Sequence, residues 1–390
     1  MPLPRVDIVI AGRNEERHLG ECLDSLRQQD YPAELVSIFV VDNGSTDRTP
    51  EIARERGVRV LTQSEPGASA ARNLGISSGQ GELVAFFDAH CIANRGWVRA
   101  MAAPFVDASV GGCQAHIESR SDDARVQRYL DQTGVLDNAH IVDDTVSGKK
   151  NLYPWLLAGN SMYRRQALLE AGGFNEKLRA CEDVELAWRV VLLGYQFYYV
   201  NGASVIHYDG NLWRGFLKKG FYYAQGAADL AWMYQEHGAK SKFAPAPWWT
   251  GSWERSLAGL WYRLGYTRKN MRLRLGLDRP SRRSPITVRP EFRQWFPWDE
   301  STEVQISSDA IYWFRQNESI IVHIPSKQRM VLDSVSDLIW RRLASQNTKL
   351  EVANVLVERY AIAQATALAD IDDFVEELIA SRVLNRRARQ

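Results

Sequence analysis

Along the first ninety residues the hydrophobic positions switch period in a regular way. Val6 to Ile10 is a short apolar run that reads as a strand. From Glu15 to Gln29, Leu19, Cys22, Leu23 and Leu26 recur at helical spacing. Val36 to Val41 is a β-branched buried strand, Pro50 to Arg56 a short helix, Val58 to Leu61 a third strand, and Ala68 to Ile76 a helix entered from Pro66-Gly67. Leu83 to Phe87 is apolar at every position, as expected of a strand buried on both faces. Such alternation predicts a parallel sheet with right-handed crossovers, so an α/β nucleotide-binding domain is the expected fold class.

Further on, Val184, Ala187, Trp188 and Val191 mark a helix that opens on Glu182 and Asp183, and Val205 to Tyr208 reads as a short strand. Leu212 to Tyr234 is an aromatic-rich helical stretch; Trp253, Leu257, Leu260, Trp261 and Leu264 form a second apolar stripe. Asp278 to Pro285 reads as a linker. The last ninety residues form a separate unit. Ile311–Phe314, Ile320–Ile324 and Arg329–Leu332 are expected strands, followed by helices over Val335–Leu343, Thr348–Tyr360 and Ile371–Ser381. The second of these opens on the capping box Thr348-x-x-Glu351. The expected domains are 1–238, 239–300 and 301–390.

Composition changes this picture little, whereas the distribution of charge changes it more. A chain of 390 residues and ordinary apolar content is long enough for two cores. Its net charge is +1, yet from Ala239 to Trp298 thirteen Lys/Arg face three Asp/Glu. A basic, Trp-rich amphipathic helix there suits an anionic membrane surface (239–298), or else packs on the preceding domain with its basic face solvated. No recognised nucleic-acid module accompanies the charge, so no nucleic-acid partner is expected. The scattered cysteines Cys22, Cys91, Cys113 and Cys181 suggest a reducing compartment. No signal peptide and no membrane-spanning run is expected, which places the protein in the cytoplasm or peripherally on the inner face of a membrane.

Chemistry gathers where strands end. In Asp88-Ala89-His90, alternation puts the carboxylate and the imidazole on one side, a pair suited to a divalent metal; a solvated polar turn is the plainer account. Gly12, in Ala11-Gly12-Arg13-Asn14-Glu15, lets backbone approach a ligand, and the following helix would offer its N–H groups to an anion. Neither a GxGxxG nor a P-loop pattern is present. Asp42 is placed to accept from a base or ribose, and Asp47 to cap the next helix. Arg72 either meets phosphate at the sheet edge or lies on a solvated helix face.

The motifs Val9–Glu15, Val41–Asp47, Gly67–Asn73 and Phe87–His90 occur in an order and spacing that resembles family 2 glycosyltransferases of the GT-A fold, over roughly the first 240 residues. The resemblance implies a mostly parallel, Rossmann-like central sheet and an inverting transfer from a nucleotide sugar, usually UDP-linked. Ala11, Arg13, Asn14, Glu15, Asp42, Arg72, Asp88, Ala89, Gly159 and Asn160 would then line the donor site. Asp183 would be the catalytic base, with Glu182 beside it as an acceptor contact. The family's D-x-D appears here as Asp-x-His, and His207 falls where many relatives place a metal- or diphosphate-contacting histidine. Asp88, His90 and His207 would therefore hold the metal, and imidazole ligands favour Mn²⁺ over Mg²⁺. The C-terminal unit resembles PqqD-like proteins with a winged-helix-like α+β fold, peptide-recognition elements of pathways that modify ribosomally made peptides (RiPP pathways). That likeness implies a precursor peptide, glycosylated on Ser, Thr or Cys and delivered by residues 301–390. The alternatives are a membrane-associated transferase of polysaccharide or glycolipid synthesis, and a catalytically silent scaffold that binds nucleotide sugar or peptide.

Overall fold

A computed structural model describes residues 2–63, 67–134, 154–210, 212–234, 253–278, 295–307, 310–315, 318–323, 328–344 and 347–389. The N-terminal half runs β1 (Val6–Gly12), α1 (Leu19–Arg27), β2 (Val36–Asp42), α2 (Thr49–Glu55), β3 (Arg59–Thr62), α3 (Ala68–Ser78), β4 (Leu83–Phe87), β5 (Cys91–Ala93), α4 (Trp97–Ala102), β6 (Val110–Arg120) and α5 (Ala124–Thr133). It continues through β7 (Asn160–Arg164), α6 (Arg165–Ala171), α7 (Glu182–Leu192), β8 (Gln196–Tyr208), α8 (Trp213–Met233) and α9 (Trp253–Arg274). Then follow β9 (Phe296–Pro297), β10 (Thr302–Ile306), β11 (Ala310–Arg315), β12 (Glu318–His323), β13 (Gln328–Leu332), α10 (Ser334–Ala344), α11 (Lys349–Tyr360), α12 (Gln364–Ala380) and β14 (Leu384–Ala388).

The central sheet is ordered β13-β12-β11-β8-β6-β7-β4-β1-β2-β3. Pairing is parallel among β3, β2, β1 and β4, antiparallel on both sides of β7, and parallel again between β6 and β8. The protein is thus α/β with a mixed sheet whose donor-side half is parallel, as the alternation predicts. Every residue of β4 is buried, because helices cover both faces of the sheet. On one face α3 lies so close to β1 that a Cβ on Gly75 would stand 2.3 Å from a Val9 methyl carbon. Beneath the other, Phe87 meets Trp97 edge-to-face at 5.0 Å.

Two differences from the sequence expectation bear on function. Helix α1 begins at Leu19, not near Glu15. The intervening N–H groups are taken by side chains of the β2–α2 loop: Asn14 donates to Ser45 Oγ (3.0 Å), Glu15 to Thr49 Oγ1 (2.7 Å) and Glu16 to Asp47 Oδ2 (3.1 Å). No helix N-terminus faces the ligand there, and the first two strand-end loops are bound into one unit. Second, the three expected C-terminal strands, β11 to β13, join the central sheet. β11 pairs in parallel with β8, Trp313 opposite Phe197 and Phe314 opposite Tyr198. The Arg341 guanidinium covers the Tyr198 ring at 5.4 Å. The expected strands and helices are otherwise present, including the capping box at Thr348 and Glu351. A small β14-β10-β9 sheet closes the end of the chain.

Candidate active site

The site stands at the carboxyl ends of β4 and β8, where open α/β sheets take ligands. Asp88 and His90 leave β4 together. Immediately afterwards β5 pairs antiparallel with the end of β8, Cys91 opposite His207, and Tyr208 N donates to His90 O at 3.0 Å. This three-residue strand, absent from the sequence expectation, turns His90 toward His207. Their Nε2 atoms face each other at 3.2 Å, and Asp88 Oδ2 lies 4.0 Å from the first and 3.8 Å from the second. All three ligand atoms lie within 4.8 Å of one another.

The chemistry of this trio fits a divalent cation. Adjacent ligands of an octahedral ion at about 2.1 Å stand roughly 3 Å apart, close to the separation of the two imidazoles. Burial, then the neighbouring His90, holds the His207 pKa down to about 4, so it is neutral and able to donate a lone pair at physiological pH. Its Nδ1 is buried with no partner among the described residues. His90 Nδ1 meets Glu15 Oε2 at 3.3 Å, the carboxylate–histidine arrangement that fixes a ligating imidazole. Burial lowers the His90 pKa, but the Glu15 hydrogen bond and the charges of Asp88 and Glu15 outweigh it and raise the pKa overall. Asp88 stays ionised: burial opposes this, but His90, Arg72 and His207 pull its pKa down. Gly159 makes room for it, because a Cβ there would stand 2.4 Å from Asp88 Oδ2.

Arg72 is buried, which excludes the solvated-face account. It reaches Glu182 Oε1 at 2.8 Å and Asp88 Oδ1 at 3.7 Å while lying over the Phe174 ring. One guanidinium thereby ties the strand end to the start of α7, where Asp183 sits. Asp183 accepts from Val184 N at 2.8 Å and Ala158 N at 3.3 Å. Its pKa is nevertheless raised to about 7, by burial first and repulsion from Glu182 second. A helix N-terminus favours a carboxylate by about 0.3–1 kcal/mol, less than the about 4 kcal/mol that three pK units represent. Burial wins, leaving a carboxyl poised to exchange a proton near neutral pH.

The remaining predicted residues divide into two groups. Asp42 is buried and accepts from Ser45 N at 3.1 Å; Asn14, in the left-handed region at φ 59°, accepts from Thr46 N at 2.8 Å. Asp47 accepts from Thr49 N, the first residue of α2, although the N-cap position itself falls on Arg48. Arg13 is exposed, Ala11 half-buried, and Ala89 is packed beneath Gly12. Asn160 is fully buried with its carboxamide spent inside the fold: Trp97 Nε1 donates to it at 2.8 Å, and it donates to Ala115 O at 2.9 Å. Two residues on α8 went unseen in the sequence. Lys219 pairs with buried Asp209 at 3.6 Å, and Tyr223, exposed on the same helix, lies one turn on. Their i, i+4 spacing on the helix after His207 was the available signal.

Residues 7–171 match the model for glycosyl transferase family 2, and residues 318–384 match that for coenzyme PQQ synthesis protein D (PqqD). The chain therefore carries a glycosyl transferase family 2 domain at residues 7–171, a class that draws on nucleotide-sugar donors, and a PqqD domain at residues 318–384. Glycosyltransferase AglE of Haloferax volcanii is 27% identical over 254 residues, 63% of this chain and 80% of that one. Pre-mycofactocin glycosyltransferase of Mycobacterium tuberculosis is 28% identical over 236 residues, 58% of this chain and 47% of that one. The chain thus spans about half the length of the latter relative. Among solved structures, the mannosyltransferase PcManGT from Pyrobaculum calidifontis with GDP-Man and Mn²⁺ aligns at a TM-score of 0.48 and 20% identity, covering 71% of this chain and 76% of that one.

Proposed function

We propose that the chain transfers a sugar from a UDP-linked donor to a peptide Ser, Thr or Cys side chain, with inversion at the anomeric carbon. The observation that supports this best is one bridge: Arg72 links Asp88 of the metal-competent trio to the pair Glu182–Asp183, whose second member titrates near 7. Asp183 takes the acceptor proton as its oxygen or sulfur attacks the anomeric carbon, and the bond from that carbon to the β-phosphate oxygen breaks. The electron pair leaves with UDP. A divalent cation held by Asp88, His90 and His207 supplies neutralisation of the charge on the diphosphate, and two imidazoles among three ligands favour Mn²⁺. Asp42 and the Asn14 loop take the nucleoside side, with Ala11, Arg13 and Ala89 around it and Gly159 toward the donor sugar beside Asp88. The PqqD domain supports a peptide acceptor, and so does a relative named for pre-mycofactocin. Free cysteines support a cytoplasmic site of action.

Nucleotide release from a panel of UDP- and GDP-sugars, with each of several divalent ions, tests donor and metal together. Turnover equal in Mg²⁺ and Mn²⁺ and undiminished in His90→Ala refutes the metal assignment. Tight UDP binding without release on any acceptor points to a binding scaffold.

A second reading has its own observation. Helix α9 packs on α8 through Tyr266, Leu273 and Lys269, the last paired with Asp229 at 3.2 Å. Of the stripe, Leu257 packs against Trp213 and Leu217, whereas Trp253, Leu260, Trp261 and Leu264 are each more than 40% exposed. No helix among the described residues is long and apolar enough to cross a membrane. An exposed Trp/Leu stripe beside Arg268 and Arg274 supports interfacial docking on anionic lipid. Flotation with phosphatidylserine-containing vesicles tests it, and a chain that stays at the bottom of the gradient rules it out.

A further inference from the structure

One short turn meets both the carboxylate of the metal-competent trio and the candidate base. Residues 157–160 close on themselves, Asn160 N donating to Leu157 O at 3.2 Å. The two middle residues face the site. Ala158 N donates to Asp183 Oδ2 at 3.3 Å. Gly159 O accepts from Asp88 N at 3.4 Å, while its bare Cα makes room for the Asp88 carboxylate. Neighbouring Cα atoms stand about 3.8 Å apart, so a single step of chain links Asp88 to Asp183.

The turn is held from both faces of the sheet. Along β6, Cys113 and Ala115 pack on the side of Trp97, so alternation points Gln114 the other way, toward the side of α7. There Gln114 Oε1 accepts from Leu157 N at 2.7 Å. Asn160, at the start of β7, points to the opposite face, where it accepts from Trp97 Nε1 at 2.8 Å and donates to Ala115 O at 2.9 Å. Both side chains are fully buried. Bonds of this kind are commonest at about 2.9–3.0 Å, so the anchoring bonds are short and the two that face the site are long. The anchors therefore decide where the turn lies, and Asp88 and Asp183 take their contacts from it. Gly159 has no side chain that could hold the position instead.

We infer that Gln114 is a positioning residue for the transfer: by holding Leu157 it fixes the turn that sets Asp183 against Asp88. The role in transfer rests on the sugar-transfer reading above; the anchoring does not. Gln114 acts through Leu157 and the turn, with Asn160 as the matching anchor on the other face.

Kinetics and structure of full-length variants test this. Gln114→Leu keeps the volume and removes the acceptor. A misplacement of about 1 Å costs on the order of 10²-fold in turnover, so kcat should fall by about that factor. The donor KM should stay within about threefold, the nucleoside being held by the Asp42 loop. The inflection of kcat/KM near pH 7 should move up, because Ala158 N no longer favours the charged form of Asp183. Gln114→Glu, compared with wild type at pH 6, where burial keeps the new carboxyl protonated and shaped like the amide, should restore kcat to within about threefold. Crystal structures should show Ala158 N withdrawn from Asp183 Oδ2 in Gln114→Leu. Should that variant not fold, Ala158→Pro removes the donor to Asp183 directly, and proline suits the second position of a turn. It should show the same fall in kcat and the same rise of the inflection. A turn that stays in place, a turn that moves without loss of kcat, or Ala158→Pro with wild-type kcat overturns the inference. So does a Gln114→Glu variant no better than Gln114→Leu. A turn that moves in Gln114→Leu, when the wild type transfers sugar from no UDP- or GDP-linked donor, rejects the transfer reading and the positioning role with it, while upholding Gln114 as the anchor.

Discussion

Replacing Asp183 by Asn separates two roles of this partly buried carboxyl. Burial and Glu182 raise its pKa from the ordinary 3.8 to about 7. Because the folded pKa lies above the unfolded one, the stability this group contributes is full below about pH 4 and is lost as pH rises through 7. At 1.36 kcal/mol per unit the wild-type protein loses about 4 kcal/mol by pH 8, of which roughly 2–3 kcal/mol disappears between pH 5 and pH 8. Asparagine does not titrate, so its stability relative to wild type should climb by that amount over the same interval. A constant cost opposes the gain. Asp183 accepts from both Val184 N and Ala158 N, whereas the amide oxygen of asparagine replaces only one carboxylate oxygen, leaving a donor unmet at about 1–3 kcal/mol. Urea unfolding at pH 5, 6, 7 and 8 should show the variant equal to or weaker than wild type at pH 5 and more stable at pH 8. Its turnover should fall about 10²–10⁴-fold, and wild-type kcat/KM should rise with pH around 7. A stability difference that stays flat with pH shows that the charge is not held against burial, and turnover retained in the variant removes Asp183 as the base.

Three further outcomes follow from the same geometry. Gly159→Ala drives a methyl into Asp88 Oδ2, so Mn²⁺ affinity by calorimetry should drop at least tenfold with little change in fold; unchanged affinity removes Asp88 from the ligand set. Glu15→Gln deprives His90 of its carboxylate partner and should weaken metal binding by about 10–100-fold, with the His90 pKa falling in an NMR titration. Arg72→Met leaves Asp88 and Glu182 without their shared cation and should cost about 3–5 kcal/mol at pH 8, less at pH 4 where carboxylates accept protons; a melting temperature unmoved at either pH contradicts the bridge.

Much of this architecture is written locally. An all-apolar run becomes β4, four spaced apolar residues become α1, and Thr348 with Glu351 caps α11, because period and capping act within a few residues. A strand-end motif likewise pointed to Asp88 and His90, and the family resemblance to Asp183 and His207. What they touch was decided elsewhere. His90 faces His207 because residues 91–93 pair with the end of β8, a contact across more than a hundred residues that no local period encodes. Residues 14 to 16 stay out of α1, their N–H groups captured by Ser45, Thr49 and Asp47. Asp183 stands at a helix start in the sequence, and only enclosure beside Glu182 raises its pKa to about 7. The stripe on α9 has the right spacing to be core, yet only part of it is covered: Leu257 packs with Trp213 while Leu260 and Leu264 stay exposed, since periodicity defines a face without naming its neighbour. The same holds at the free edge of β8. A strand pattern announces hydrogen-bonding groups in need of partners, and the packed chain alone determined that β11 would supply them.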